Sequence, residues 1–169
     1  MVQKVKRTKS ADQALRSLMN MCARSEKCSA DALRLMKGWG VADADACGVL
    51  QRLVAERFID DSRYAAAFVR EKINLSSWGP YKITTTLRAK GIDKEAIAAA
   101  FDAAGVVDIV ERLSALLARK MRTTKAKNTA DLKAKLLRYA AGQGYDFATA
   151  KQAVDSLVNS EEECDFGLF

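Results

Sequence analysis

Histidine is absent from this 169-residue chain. The commonest general base and the commonest metal ligand are therefore missing at the outset. The four cysteines, Cys22, Cys28, Cys47 and Cys164, make no CxxC pair, and no imidazole could complete a mixed zinc site around them. Cys22 and Cys47 fall on apolar helical stripes, where a thiol behaves as a small hydrophobe. They read as free, structural thiols of a reducing compartment. There is no glycine-rich phosphate loop and no Ser or Cys beside a base. These absences argue against an enzyme.

The chemistry left to it is that of charge. Lys and Arg number 28 against 21 acidic residues, a net charge of +7 that favours a polyanionic partner. Arg119, Lys120, Arg122, Lys125, Lys127, Lys133, Lys135 and Arg138 crowd one window, opposed only by Asp131. A lone surface lysine signals nothing, but a cluster of this density exceeds the ordinary distribution of surface charge. A smaller basic group, Lys4, Lys6, Arg7 and Lys9, precedes it, and Glu161, Glu162, Glu163 and Asp165 give the far end the opposite sign. Four aromatic residues, Trp39, Trp78, Tyr81 and Tyr139, could stack nucleobases. At helix ends they are expected instead as packing lids.

These residues must be carried by helices. A single proline leaves helices uninterrupted, and nine glycines are too few for the turns of an all-β fold. In 60–104, Asp60-Asp61-Ser62 supplies N-cap oxygens, and Tyr64, Ala65, Phe68, Val69 and Ile73 recur at helical spacing. Pro80 opens a second helix with Ile83 and Leu87 on its buried face, and Gly91 suits a left-handed C-terminal position. Asp93 caps a third, in which Ala96, Ile97, Ala100, Phe101 and Ala104 face inward. The same grammar recurs upstream around Ala32, Met36 and Gly40, with Asp43 opening a helix that holds Ala46, Cys47, Leu50, Leu53 and Val54. Downstream it recurs around Leu136, Ala140 and Gly144, with Asp146 as the next cap. A period of about 50 residues predicts an all-α protein of three tandem three-helix repeats forming an elongated, curved helical array. Expected boundaries are a basic tail at 1–9, repeats at 10–58, 59–105 and 106–160, and an acidic tail at 161–169.

The middle repeat carries a specific set of residues: Phe58-Ile59-Asp60-Asp61, Tyr64-Ala65, Arg70, Gly79, Lys82, Leu87 and Lys90-Gly91-Ile92. That set resembles the pattern of the RecX family, the bacterial regulators of the RecA recombinase, over about a quarter of the chain at good specificity. Two positions depart from it. Arg57 stands where a glycine is common, and Gln143 stands where an Arg often precedes the glycine of the third repeat. The resemblance implies a non-enzymatic modulator that lies in the groove of the RecA–DNA filament. Such a protein limits filament growth and restrains strand exchange and co-protease activity, without cofactor or metal. The contact candidates are Lys82, Arg88 and Lys90 in the middle repeat and Arg119, Lys120, Arg122, Lys125, Lys127, Lys133, Lys135 and Arg138 in the third. Expected partners are the RecA filament and single- and double-stranded DNA, met by a chain that is monomeric when free.

Two other functions fit parts of the sequence. A non-sequence-specific helical DNA-binding protein would share the basic window, although no helix pairs a basic face with the Asn, Gln and Arg set that reads base edges. A helical protein–protein adaptor would dock through the acidic end. No run reaches the length of a membrane span, and no apolar stretch follows the first basic residues. The expectation is a cytoplasmic protein without membrane partners.

Overall fold

The computed structural model describes residues 8–105 and 109–165, with side chains through residue 159. Lys4, Lys6 and Arg7, and the side chains of Cys164 and of the acidic group Glu161, Glu162, Glu163 and Asp165, lie outside the described residues. The described residues form nine helices and no strand. They are α1 (Ala11–Cys22), α2 (Ser29–Gly38), α3 (Asp43–Ala55), α4 (Asp61–Ser76), α5 (Pro80–Ala89), α6 (Lys94–Ala103), α7 (Ile109–Met121), α8 (Thr129–Gln143) and α9 (Phe147–Asp165). The all-α expectation and its tandem three-helix units therefore hold.

Each repeat turns its corner in the same way. Gly40, Gly91 and Gly144 have φ of 72°, 76° and 90°, a left-handed conformation that costs an L-residue a Cβ clash and costs glycine nothing. The amide after each glycine donates five residues back, Val41 to Met36, Ile92 to Leu87 and Tyr145 to Ala140, all at 3.1 Å. Each glycine amide donates three residues back, Gly40 to Lys37, Gly91 to Arg88 and Gly144 to Ala141. These are three copies of the Schellman motif, which satisfies the last carbonyls of a helix. Both apolar ends of each motif are buried, with Met36 and Leu87 wholly inaccessible. Helix starts are equally explicit. Ser10 and Gln13 form a capping box on α1, and Asn128 accepts from the Asp131 amide at 2.8 Å to cap α8. Asp60, Asp93 and Asp146 accept from the Arg63, Ala96 and Thr149 amides.

The chain groups into two compact units, each described by itself. One takes residues up to Phe68 together with Leu87–Ala103; the other takes Val69–Thr86 together with residues from Ala104 onward. The first has its core in Ala14, Leu15, Leu18, Ala32, Met36, Val49, Leu53 and Ile59. The second is built on Leu113, Leu116, Leu117, Leu136, Ala140, Tyr145, Ala153, Val154 and Val158. The division passes through α4 and α5.

Several core expectations need correction. Cys47 is exposed, Cys22 is half-buried and only Cys28 is buried. Val54 is 47% exposed. On α3 the inward face is Ala46, Val49 and Leu53. Cys47 and Val54 each follow one of these by a residue, and one residue turns the helix by about 100°. Phe68 is also half-buried. Its ring stacks on Tyr64 at 5.8 Å, at the rim of the stripe formed by Tyr64, Ala65 and Val69.

Candidate functional site

The basic window forms the end of α7, the loop after it and the first turns of α8. Arg119 and Lys120 occupy the last turn of α7, where cations complement the negative end of the helix dipole. The hydroxyls of Thr123 and Thr124 both donate to the Lys120 carbonyl, at 3.0 and 2.8 Å, and close that helix end. The Lys120 ammonium stands 5.1 Å from the centre of the Tyr139 ring. Across the loop, Asp131 accepts from the Lys127 amide at 3.0 Å and from Lys135 Nζ at 2.7 Å. The Lys135 hydrogen bond, followed by that of the Lys127 amide, holds the Asp131 carboxyl below its ordinary value. Lys135 Nζ also donates to the Lys125 carbonyl at 2.8 Å, which ties the loop to α8.

The eight cations therefore divide. Lys135 serves the loop, and Lys133 pairs with Asp155 at 3.1 Å. Arg138 donates to the Ala134 carbonyl of its own helix and remains exposed. Arg119, Arg122, Lys125 and Lys127 are exposed and form no ion pair among the described residues. These four and Arg138 are the side chains free to meet an anion.

The middle-repeat candidates divide as well. Lys90 does not present its charge. Its ammonium lies 2.6 Å from Asp31 and 5.5 Å from the Tyr64 ring centre, and its side chain is 24% exposed. Burial raises the Asp31 carboxyl, but hydrogen bonds from Lys90, Arg34 and Cys28 outweigh it and hold the group below its ordinary value. Lys90 is shifted upward by the same pairing against its own burial. Lys82 donates to the Gly142 carbonyl at 3.2 Å and lies 4.4 Å from the Trp78 ring centre. Arg88 is exposed.

Most of the remaining motif is structural. Asp61 reaches back to accept from the Ser29 amide at 2.8 Å, so it caps α2 while the neighbouring Asp60 caps α4. A Cβ on Gly79 would collide with the Gly144 carbonyl, and the Gly79 amide donates to the Gln143 carbonyl at 2.8 Å. Position 143 thus acts through its backbone, and this contact does not depend on whether its side chain is basic. Two exposed residues escaped the contact candidates. Arg70, part of the motif, forms no ion pair among the described residues, and Tyr81 is 72% exposed. Trp39, Trp78 and Tyr139 are half-buried, as lids are. Lys9 lies 3.7 Å from the Trp39 ring centre. Among the described residues no cluster of His, Cys, Asp or Glu could hold a metal, and no helix is long and apolar enough to cross a membrane.

These features define an all-α protein of tandem three-helix repeats with a cationic surface at the α7–α8 turn. Family models for RecX match in two places, the second three-helix domain over residues 60–100 and the third over residues 107–154. The chain belongs to the RecX family. It is 34% identical over 117 residues to the Regulatory protein RecX of Halalkalibacterium halodurans, covering 68% of this chain and 44% of that one. It is 27% identical over 140 residues to that of Oceanobacillus iheyensis, covering 82% of this chain and 50% of the relative. The chain thus spans about half the length of these curated relatives. A crystal structure of regulatory protein RecX superposes with a TM-score of 0.76 at 21% identity, over 86% of this chain and 73% of that one. RecX from Lactobacillus salivarius superposes with a TM-score of 0.68 at 17% identity, over 87% and 96%. At these identities the two structures establish the fold.

Proposed function

We propose that this chain is a non-enzymatic regulator of the RecA recombinase. It binds the RecA–DNA filament and limits filament growth, strand exchange and co-protease activity. The observation that carries the reading is the pairing of RecX family membership with exposed cations gathered at one turn of the third repeat. Arg119, Arg122, Lys125, Lys127 and Arg138 are the contact residues, with Arg70 and Arg88 as further cations. Lys82 contributes its charge from within the second unit. Lys90, Lys133 and Lys135 act through the fold, and Lys120 partly so through Tyr139. The partners are the filament and its DNA, approached by a monomer in the cytoplasm.

The test is anisotropy with labelled single-stranded oligonucleotide, bare and coated with RecA. Arg122, Lys125 and Lys127 are changed together to Glu. Among the described residues none of these side chains forms an ion pair or packs in a core, so melting should be unchanged while both affinities fall. The slope of log affinity against log salt should also shrink, by roughly 0.7 per lost phosphate contact on single strands. Retention of both affinities by the folded variant would remove the loop from the interface. DNA binding with no effect on RecA would instead favour the plain DNA-binding protein.

A further inference from the structure

The second unit holds an open groove of about 290 Å³ between the first turns of α5 and the end of α8. Tyr81, Lys82, Thr85 and Thr86 line one side, and Gly142 and Gly144 line the other. Hydrogen bonds fix the two sides against each other: the Gly79 amide donates to the Gln143 carbonyl at 2.8 Å and the Tyr81 amide to the Gly144 carbonyl at 3.1 Å. The Tyr81 backbone is therefore held, while 72% of the residue stays exposed. Tyr81 differs in this from Trp39, Trp78 and Tyr139, which are half-buried. Lys82 has only uncharged partners among the described residues, the Gly142 carbonyl and the Trp78 ring. Among the described residues no carboxylate lines the groove.

We propose that this groove takes one nucleotide of a single strand, with the base stacked on Tyr81 and its phosphate drawn to Lys82. An aromatic face beside a cation is the pairing that single-strand binding surfaces use. The volume falls just below the range of ligand pockets, roughly 300–1,000 Å³. That suits one base and is too small for the face of a helix about 10 Å across. The groove also continues the basic surface, because Arg138 lies one helical turn before Gly142 on the exposed side of α8. A duplex keeps its bases stacked inside and can offer Tyr81 nothing. The stacking residue thus gives the unit a preference for single strands that the cations alone cannot supply. The inference rests on the proposed function, since it assumes that the unit meets DNA.

The test compares a thymidine oligonucleotide with a duplex over a series of salt concentrations, using the parent chain, Tyr81→Ala, Tyr81→Phe and the triple loop variant. Tyr81→Ala should weaken single-strand binding roughly five- to hundredfold, with duplex affinity and salt slope unchanged. Tyr81→Phe keeps the ring and should bind as the parent does. A 5-iodouracil oligonucleotide irradiated with the parent should crosslink to Tyr81. Unchanged single-strand affinity in Tyr81→Ala, an equal loss on duplex, or crosslinks only elsewhere would overturn the proposal while the loop variant still tested the general reading. A Tyr81→Ala variant that binds DNA normally and loses RecA protein would mean that the groove seats protein, and would overturn it too. If the parent binds neither form of DNA, both readings fall.

Discussion

Arg57 has φ of 58° at the end of α3, with the Phe58 amide donating to the Leu53 carbonyl at 2.8 Å and the Arg57 amide to the Val54 carbonyl at 3.0 Å. It is the left-handed residue of a fourth Schellman motif, and here the position holds a side chain with a Cβ. That conformation costs an L-residue about 1–2 kcal/mol, partly offset by the smaller unfolded-state entropy of a non-glycine residue. Arg57→Gly should therefore stabilise the chain by about 0.5–1 kcal/mol in chemical denaturation, and a loss of stability would refute this account of the turn. Lys90 and Asp31 make a pH-dependent contribution. Asp31 is shifted down, so its stabilisation is present above the ordinary carboxylate value and is lost as acid is added. Lys90 is shifted up, so its share is present below the ordinary lysine value and is lost as the pH rises past its folded value. Lys90→Ala should cost about 1.5–3 kcal/mol at neutral pH and flatten both limbs of the stability–pH curve; an unchanged curve would show the pair to be dispensable. The glycine at 91 was legible in the sequence, because only backbone conformation is at stake there. Lys90 was not, because its partner Asp31 lies far away in sequence and spacing alone gives no sign of it.

At the scale of elements, the core rests on the paired positions before each left-handed glycine. Ile83 and Leu87 are wholly inaccessible, whereas Phe68 is only half-buried. Leu87→Ala should cost about 2–5 kcal/mol, and Phe68→Ala should cost less despite its larger side chain. Thermal melting of the two variants checks the order, and the reverse order would misplace the core. The stripe on α4 was readable, but its edge was not, since periodicity fixes a direction and leaves open how wide a strip the neighbouring helices cover. The same limit explains Cys47 and Val54 on α3. Gly79 exerts its effect through close approach. Its neighbour across the junction is Gly144, whose own Cβ would collide with Lys82. Gly79→Ala should unseat the start of α5 from the α8–α9 turn and lower the melting temperature; a variant as stable as the parent would show that the junction can yield.

For the whole molecule, the repeat grammar foretold an all-helical chain of three-helix units, and the described residues form nine helices. The basic window was visible as composition, yet composition could not separate Lys133 and Lys135, committed to Asp155 and Asp131, from the exposed Arg119, Arg122, Lys125 and Lys127. That separation makes the central claim testable without unfolding the protein. The most direct measurement is ATP hydrolysis by RecA on single-stranded DNA, titrated with this chain at substoichiometric amounts. Hydrolysis should fall as the chain is added, and the variant with Arg122, Lys125 and Lys127 changed to Glu should require a higher concentration for the same effect. Hydrolysis that stays constant at every concentration of the folded parent chain would contradict the account.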